Sequence, residues 1–260
     1  MATFLLVHGM FHGGWCWQPL KARLEQDGHR VLAPDLASCG ADCTPASEVT
    51  LDRWARDIAA LAADAGEPVI LVGHSRGGLV VSQAAEVAGP ESVAGIVYLT
   101  ALMLPDGVSA VGLQQLMAEQ AIEGPSLEVR IDEDGLSMLP PPDSEDLFFA
   151  ECTAETRAWA APQVKAEVMA PLATPVSLSP DRYGRIPRVY IETTKDRTVP
   201  IAAQRAMIAQ SPPIAVHSMA TDHSPQLSHV DALAEILNVV AIRDLAERSG
   251  RGARNLENAQ

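Results

Sequence analysis

No run of five or more basic residues and no stretch approaching 18 apolar residues occurs in this 260-residue chain. The first absence, with a formal net charge of -14, excludes nucleic acid and anionic membrane surfaces as expected partners. The second excludes a membrane-spanning helix. The opening Met1-Ala2-Thr3-Phe4-Leu5-Leu6-Val7 has no basic leader region and is too short for a signal peptide, so the sequence reads as cytoplasmic. Cysteine is sparse: Cys16, Cys39, Cys43 and Cys152 show neither paired zinc-ligand spacing nor the density of a disulfide scaffold, so reduced thiols and no metal site are expected. The glycine-rich segment His8-Gly9-Met10-Phe11-His12-Gly13-Gly14 lacks the Gly-Lys-Ser/Thr ending of a phosphate loop, and its two histidines lie in a loop rather than on one helix face. No cofactor is expected. Oligomeric state leaves no signature, and a homodimer stays open.

What is present is core-forming material. At 47% hydrophobic, the chain can bury one large core. Short apolar runs at Thr3–Val7, Arg30–Ala33, Val69–Val72, Val93–Leu99, Arg188–Glu192 and Ile214–Met219 read as buried strands. Helical segments are predicted near Trp15–Gln26, Leu51–Ala65, Gly78–Val87 and Ile201–Gln210, with a final helix from about Gln226 to Arg248 and a polar, fraying tail from about Ser249 to Gln260. Alternation on this scale predicts an α/β fold, a mostly parallel sheet with helices on both faces. From about Pro105 to Pro187 the alternation stops and Pro140-Pro141-Pro142 intervenes. The expected organisation is a core of residues 1–103 and 188–260, with residues 104–187 inserted as a cap. Nine of the fourteen net negative charges fall in that insertion, which favours neutral or cationic ligands over anions.

The chemistry concentrates at Gly73-His74-Ser75-Arg76-Gly77, which follows the apolar run Val69–Val72 and precedes an alanine-rich helical stretch. A serine hydroxyl attacks well only when it projects from a tight strand-to-helix turn toward a base, and small flanking residues permit that turn. Ser75 is the expected nucleophile. Its base and acid should follow it in the order acid, then histidine. His217 falls in a strand and His229 in the last helix, whereas His223 lies in the loop after the final strand and is the expected base. Asp196, after the Arg188–Glu192 strand, is the expected acid, with Asp106 after the Val93–Leu99 strand as its rival. The oxyanion needs two preorganised donors, for which the backbone N–H groups of Arg76 and Met10 are selected.

These motifs together resemble the α/β-hydrolase superfamily, and within it the plant methylesterase and hydroxynitrile lyase family that includes the salicylic-acid-binding methylesterase. Leu6–Gly9, His12–Trp17, Val31–Leu36, Gly73–Gly78, Val189–Pro200 and Asp222-His223 carry the likeness in order, while the cap looks more like bacterial members. The resemblance implies Ser75, Asp196 and His223 as triad and Met10 and Arg76 as oxyanion donors. It also implies an esterase rather than a lyase: the lyases carry threonine and lysine where this chain has Gly9 and Ser224.

The resulting expectation is a cofactor-free serine hydrolase that cleaves a small, neutral, largely apolar carboxylic ester through an acyl-enzyme. Phe11 and Trp159 are the expected pocket walls, alongside Phe148, Phe149 and Tyr183. Lactone or carbon-carbon bond hydrolysis by the same residues, a hydroxynitrile lyase and a non-catalytic ligand receptor remain alternatives.

Overall fold

The computed structural model describes residues 1–122, 124, 127, 128 and 130–245. Its elements in chain order are β1 (Thr3–Val7), α1 (Gln18–Gln26), β2 (Arg30–Leu32), α2 (Leu51–Asp64), β3 (Val69–His74), α3 (Gly77–Ala88) and β4 (Val93–Leu99). An inserted segment follows, with α4 (Ala110–Glu119), β5 (Arg130–Ile131), β6 (Ser137–Leu139), α5 (Ser144–Phe148), α6 (Ala154–Ala160), β7 (Glu167–Val168) and α7 (Ala170–Ala173). The chain then returns through β8 (Arg188–Thr193), α8 (Ile201–Gln210), β9 (Ala215–Met219), α9 (Pro225–Ser228) and α10 (Val230–Val239).

Six strands form one parallel sheet in the order β2-β1-β3-β4-β8-β9. Its central strands are covered on both faces, which is why β1 and β3 are mainly apolar and buried at every position. The order reverses between β1 and β3, and ligands of such sheets bind outside the carboxyl ends of the strands at that switch. The loops after β1, β3, β4, β8 and β9 all open on this edge.

The six expected strands match these six within one or two residues. Within the insertion, where the strand-helix alternation stops, β5, β6 and β7 form a small antiparallel sheet of their own. Strands of two or three residues are too short to show an alternating pattern. One expectation is corrected: the last helix is not continuous, because His229 takes φ -136° and ψ 50° between α9 and α10, and a π-turn follows at Val240–Asp244. Its expected end near Arg248 and the expected tail lie outside the described residues.

Candidate active site

Ser75 sits at the sharpest point of the β3–α3 turn with φ 53°, a left-handed value that costs a non-glycine residue energy. The turn closes only because its flanks are glycine. A Cβ on Gly73 would lie 2.7 Å from Val81 Cγ2, and one on Gly77 would lie 2.5 Å from the Val7 carbonyl oxygen of β1. The strained turn lifts the serine above the sheet edge, at the positive N-terminal end of the 12-residue helix α3.

His223 arrives on the loop after β9 and is buried. Its Nδ1 lies 2.7 Å from Asp196 Oδ2. A carboxylate can only accept, so Nδ1 carries the proton and Nε2 is left as the basic ring nitrogen. Asp196, after β8, is held by four further donors: Thr100 Oγ1 at 2.5 Å and Thr193 Oγ1 at 3.2 Å to Oδ2, and the N–H groups of Thr198 at 2.7 Å and Val199 at 2.9 Å to Oδ1. Burial alone would push this carboxyl up, but charge on His223 and these hydrogen bonds outweigh it and hold the pKa below the ordinary aspartate value. Asp196 therefore stays anionic beside the imidazole.

The rival acid is elsewhere. Asp106 Oδ1 accepts from the Leu178 N–H at 2.8 Å within the insertion. Asp222 is turned from the ring of its neighbour, taking the Glu151 N–H and the Ser228 hydroxyl. His217 binds Asp244 and His229 binds Thr221, so neither shares the cavity of Ser75.

Ser75, His223, Met10 and Arg76 line one cavity of about 60 Å³, whose other walls are Leu102, Ala110, Leu113, Leu127, Phe148, Thr198 and Val199. A wider groove of about 620 Å³ runs past Trp15, Lys21, Asp35 and Lys165 but reaches neither Ser75 nor His223. The glycine-rich loop after β1 brings Met10 to its edge. Among the described residues, no backbone or side-chain acceptor in a turn or loop takes the N–H of Met10 or of Arg76.

Two expected pocket walls are displaced. Trp159 is 39% exposed, stands edge-on to Trp15 and lines an outward groove with Gln18, Pro19 and Leu227. Its place on α6 points it away from the sheet edge. Phe11 is buried but lies behind the wall, stacked on Phe148 with ring centroids 6.0 Å apart. Phe148 faces the cavity instead. Sequence reasoning missed Thr100, whose position directly after β4 on the same edge was the available signal. It also missed Glu167, whose bonds to Phe11 and Arg76 span 156 and 91 positions and leave no local signal.

Comparison with known proteins settles the family. Residues 4–236 match the model of the alpha/beta hydrolase family. The chain belongs to that family. The hydrolase is 34% identical to methylesterase 7 of Arabidopsis thaliana over 92% of this chain and 95% of that protein. It is 30% identical to a pyrethroid hydrolase of Sphingobium wenxiniae, over 95% of this chain and 88% of the other. Against the longer chloroplastic relative methylesterase 11, it spans 63% of that protein's length. Plant and bacterial relatives thus match at comparable identity and favour neither grouping. Among solved structures, tomato methylketone synthase I with bound 2-tridecanone superposes with a TM-score of 0.80 at 28% identity, covering 92% of this chain and 97% of that one. The pyrethroid hydrolase of Sphingobium faniae JZ-2 gives 0.79 at 28% identity, covering 93% and 98%. With these relatives and this fold, the hydrolase is an enzyme of the serine ester hydrolase type, acting on small esters through an acyl-enzyme. No helix among the described residues is long and apolar enough to cross a membrane.

Proposed function

We propose that Ser75, His223 and Asp196 are the triad of this ester hydrolase, with the Met10 and Arg76 N–H groups as its oxyanion hole. The observation that carries this reading is the 2.7 Å bond between His223 and a buried, multiply held Asp196, with Ser75 and His223 lining the same cavity. His223 Nε2 takes the Ser75 proton as Oγ attacks the ester carbonyl. The oxygen becomes an anion facing two unpaired N–H groups, and His223 protonates the leaving alcohol. Water attacks the acyl-enzyme by the same proton route. Asp196 stays ionised and supports the imidazolium.

The substrate class follows from the lining. Besides Ser75, His223 and Thr198, the walls among the described residues are apolar apart from Arg76, which is already bound to Glu167. An uncharged acyl group is favoured over a carboxylate-bearing one, and the net negative charge of residues 104–187, acting as a cap, works in the same direction. The cavity is small, about 60 Å³, and its largely apolar walls suit a short acyl group better than a bulky one. Cyanohydrin chemistry is disfavoured, because a side chain at Gly9 would place its Cβ 3.0 Å from both Ser75 Cβ and His74 Nδ1.

The test is hydrolysis of p-nitrophenyl esters from acetate to decanoate by wild type and Ser75→Ala. Serine-dependent turnover with an optimum at short or medium chains supports the reading. Equal turnover in the variant, or preference for anionic acyl groups, contradicts it.

A further inference from the structure

We propose that the Arg76 side chain, backed by Glu167, is the positioning device of the oxyanion hole and ties the end of the inserted segment to it. The proposal rests on the assignment of the Met10 and Arg76 N–H groups as oxyanion donors.

The geometry runs through one peptide plane. Arg76 Nη2 donates to the Gly9 carbonyl oxygen at 3.1 Å, and His8 Nδ1 donates to the same oxygen at 2.9 Å. A trans peptide points its carbonyl and its N–H in opposite directions. Two donors gripping Gly9 O from behind therefore aim the N–H of the same unit, that of Met10, toward the cavity that Met10 lines. They also polarise the peptide and make its N–H a stronger donor. Arg76 thus acts twice, offering its own backbone N–H and orienting the other.

Glu167 of β7 fixes the guanidinium. Both side chains are fully buried, with Arg76 Nε 3.1 Å from Glu167 Oε1 and Nη2 3.3 Å from Oε2. The guanidinium also packs on the Trp54 ring, its Cζ 4.4 Å from the ring centroid. Oε2 in addition accepts the Phe11 N–H at 2.9 Å, while the Phe11 carbonyl accepts from the Lys165 N–H at 3.0 Å. Phe11 has φ 63°, so this two-sided grip stabilises a strained residue immediately after Met10. Glu167 therefore fixes both neighbours of the donor, Gly9 through Arg76 and Phe11 directly.

The experiment compares Arg76→Met, Glu167→Gln and the double variant R76M/E167Q, all of which keep the backbone donors. Readouts are kcat and KM on a p-nitrophenyl ester, affinity for a trifluoromethyl ketone whose adduct places an oxyanion in the hole, and thermal midpoint. Loss of one oxyanion donor costs about 10²–10³ in rate, so misaiming one is expected to lower kcat by roughly 10- to 100-fold with KM within about threefold. Ketone affinity should fall in parallel. The double variant separates positioning from charge balance: it is electrically neutral, yet no donor reaches Gly9 O from position 76, so its kcat stays low. Arg76→Lys, which keeps a donor, should recover part of the loss. Wild-type kcat and ketone affinity in R76M/E167Q, with turnover still requiring Ser75, overturn this proposal alone. Should Arg76→Met not fold, Glu167→Gln carries the test, with a kcat loss at unchanged KM expected and wild-type kcat overturning it. Turnover that ignores Ser75 overturns the underlying ester-hydrolase reading instead.

Discussion

His74 Nε2 lies 2.7 Å from the backbone carbonyl of His223, and because a carbonyl only accepts, His74 is the donor. The residue preceding Ser75 thus grips the loop that presents His223, fixing the distance between two segments 149 positions apart. Their rings lie 4.7 Å apart between centroids. His74→Leu removes the grip without touching the cavity, since His74 is not among its walls. The expected outcome is a kcat loss of roughly tenfold or more, because small misplacement of a catalytic group is costly, with KM little changed. Steady-state kinetics on one ester checks this, and unchanged kcat in a folded variant counts against it.

Asp196→Asn keeps the shape of the acid but not its charge. With a neutral amide beside it, Nδ1 no longer has a carboxylate to hold its proton, and the imidazolium loses its counter-charge. A kcat loss on the order of 10⁴ is expected by analogy with other triads. The buried bonds from Thr198 and Val199 to Oδ1 should keep the variant folded. A loss under tenfold would move the acid role elsewhere.

Stability should fall with acid. Burial holds His8 and His74 well below the ordinary imidazole value and takes His12 down to about 4, with nearby Arg76 and other histidines adding to the effect. The unfolded chain takes up these protons near pH 6.5, while the folded chain refuses them until far lower. The unfolded state therefore binds more protons in that window, and stability declines as pH drops from about 7 toward 4. For His12 alone a change from 6.5 to about 4 corresponds to roughly 3 kcal/mol when fully expressed. Asp196, with its lowered pKa, adds a further loss as pH falls through its folded value. Urea midpoints from pH 8 to 4.5 should be level above neutrality and then fall, less so in His12→Asn. A level midpoint throughout contradicts the burial argument.

Pocket selectivity should follow Phe148 and not Trp159. Phe148 walls the cavity and packs on Phe11 and His12. Phe148→Ala should move the chain-length optimum to longer acyl groups, at a stability cost of about 3–5 kcal/mol for a buried aromatic. Trp159→Ala should leave the optimum in place. The reverse pattern in the ester series would relocate the acyl site.

The parallel core was legible because buried parallel strands are continuous apolar runs. The positions of Ser75 and His223 were legible because an elbow and a post-strand loop are local features. Chain order admits both Asp106 and Asp196 between Ser75 and His223, and only the folded sheet puts the Asp196 carboxylate on His223. What stayed hidden is what the insertion does. Its strands are too short for periodicity, and its tie to the core through Glu167 joins residues 91 and 156 positions apart. Trp159 misled because an aromatic in the inserted segment reads the same from sequence whether it faces a cavity or packs on Trp15.

Mass spectrometry of the acid-quenched, digested enzyme during turnover of p-nitrophenyl butyrate, with wild type and Ser75→Ala side by side, tests the central assignment most directly. The expected result is a butyryl mass increment on the peptide containing Ser75, a matching burst of nitrophenol, and loss of both in the variant with turnover down on the order of 10⁶. Undiminished turnover by Ser75→Ala, or the acyl group on another residue, would contradict it.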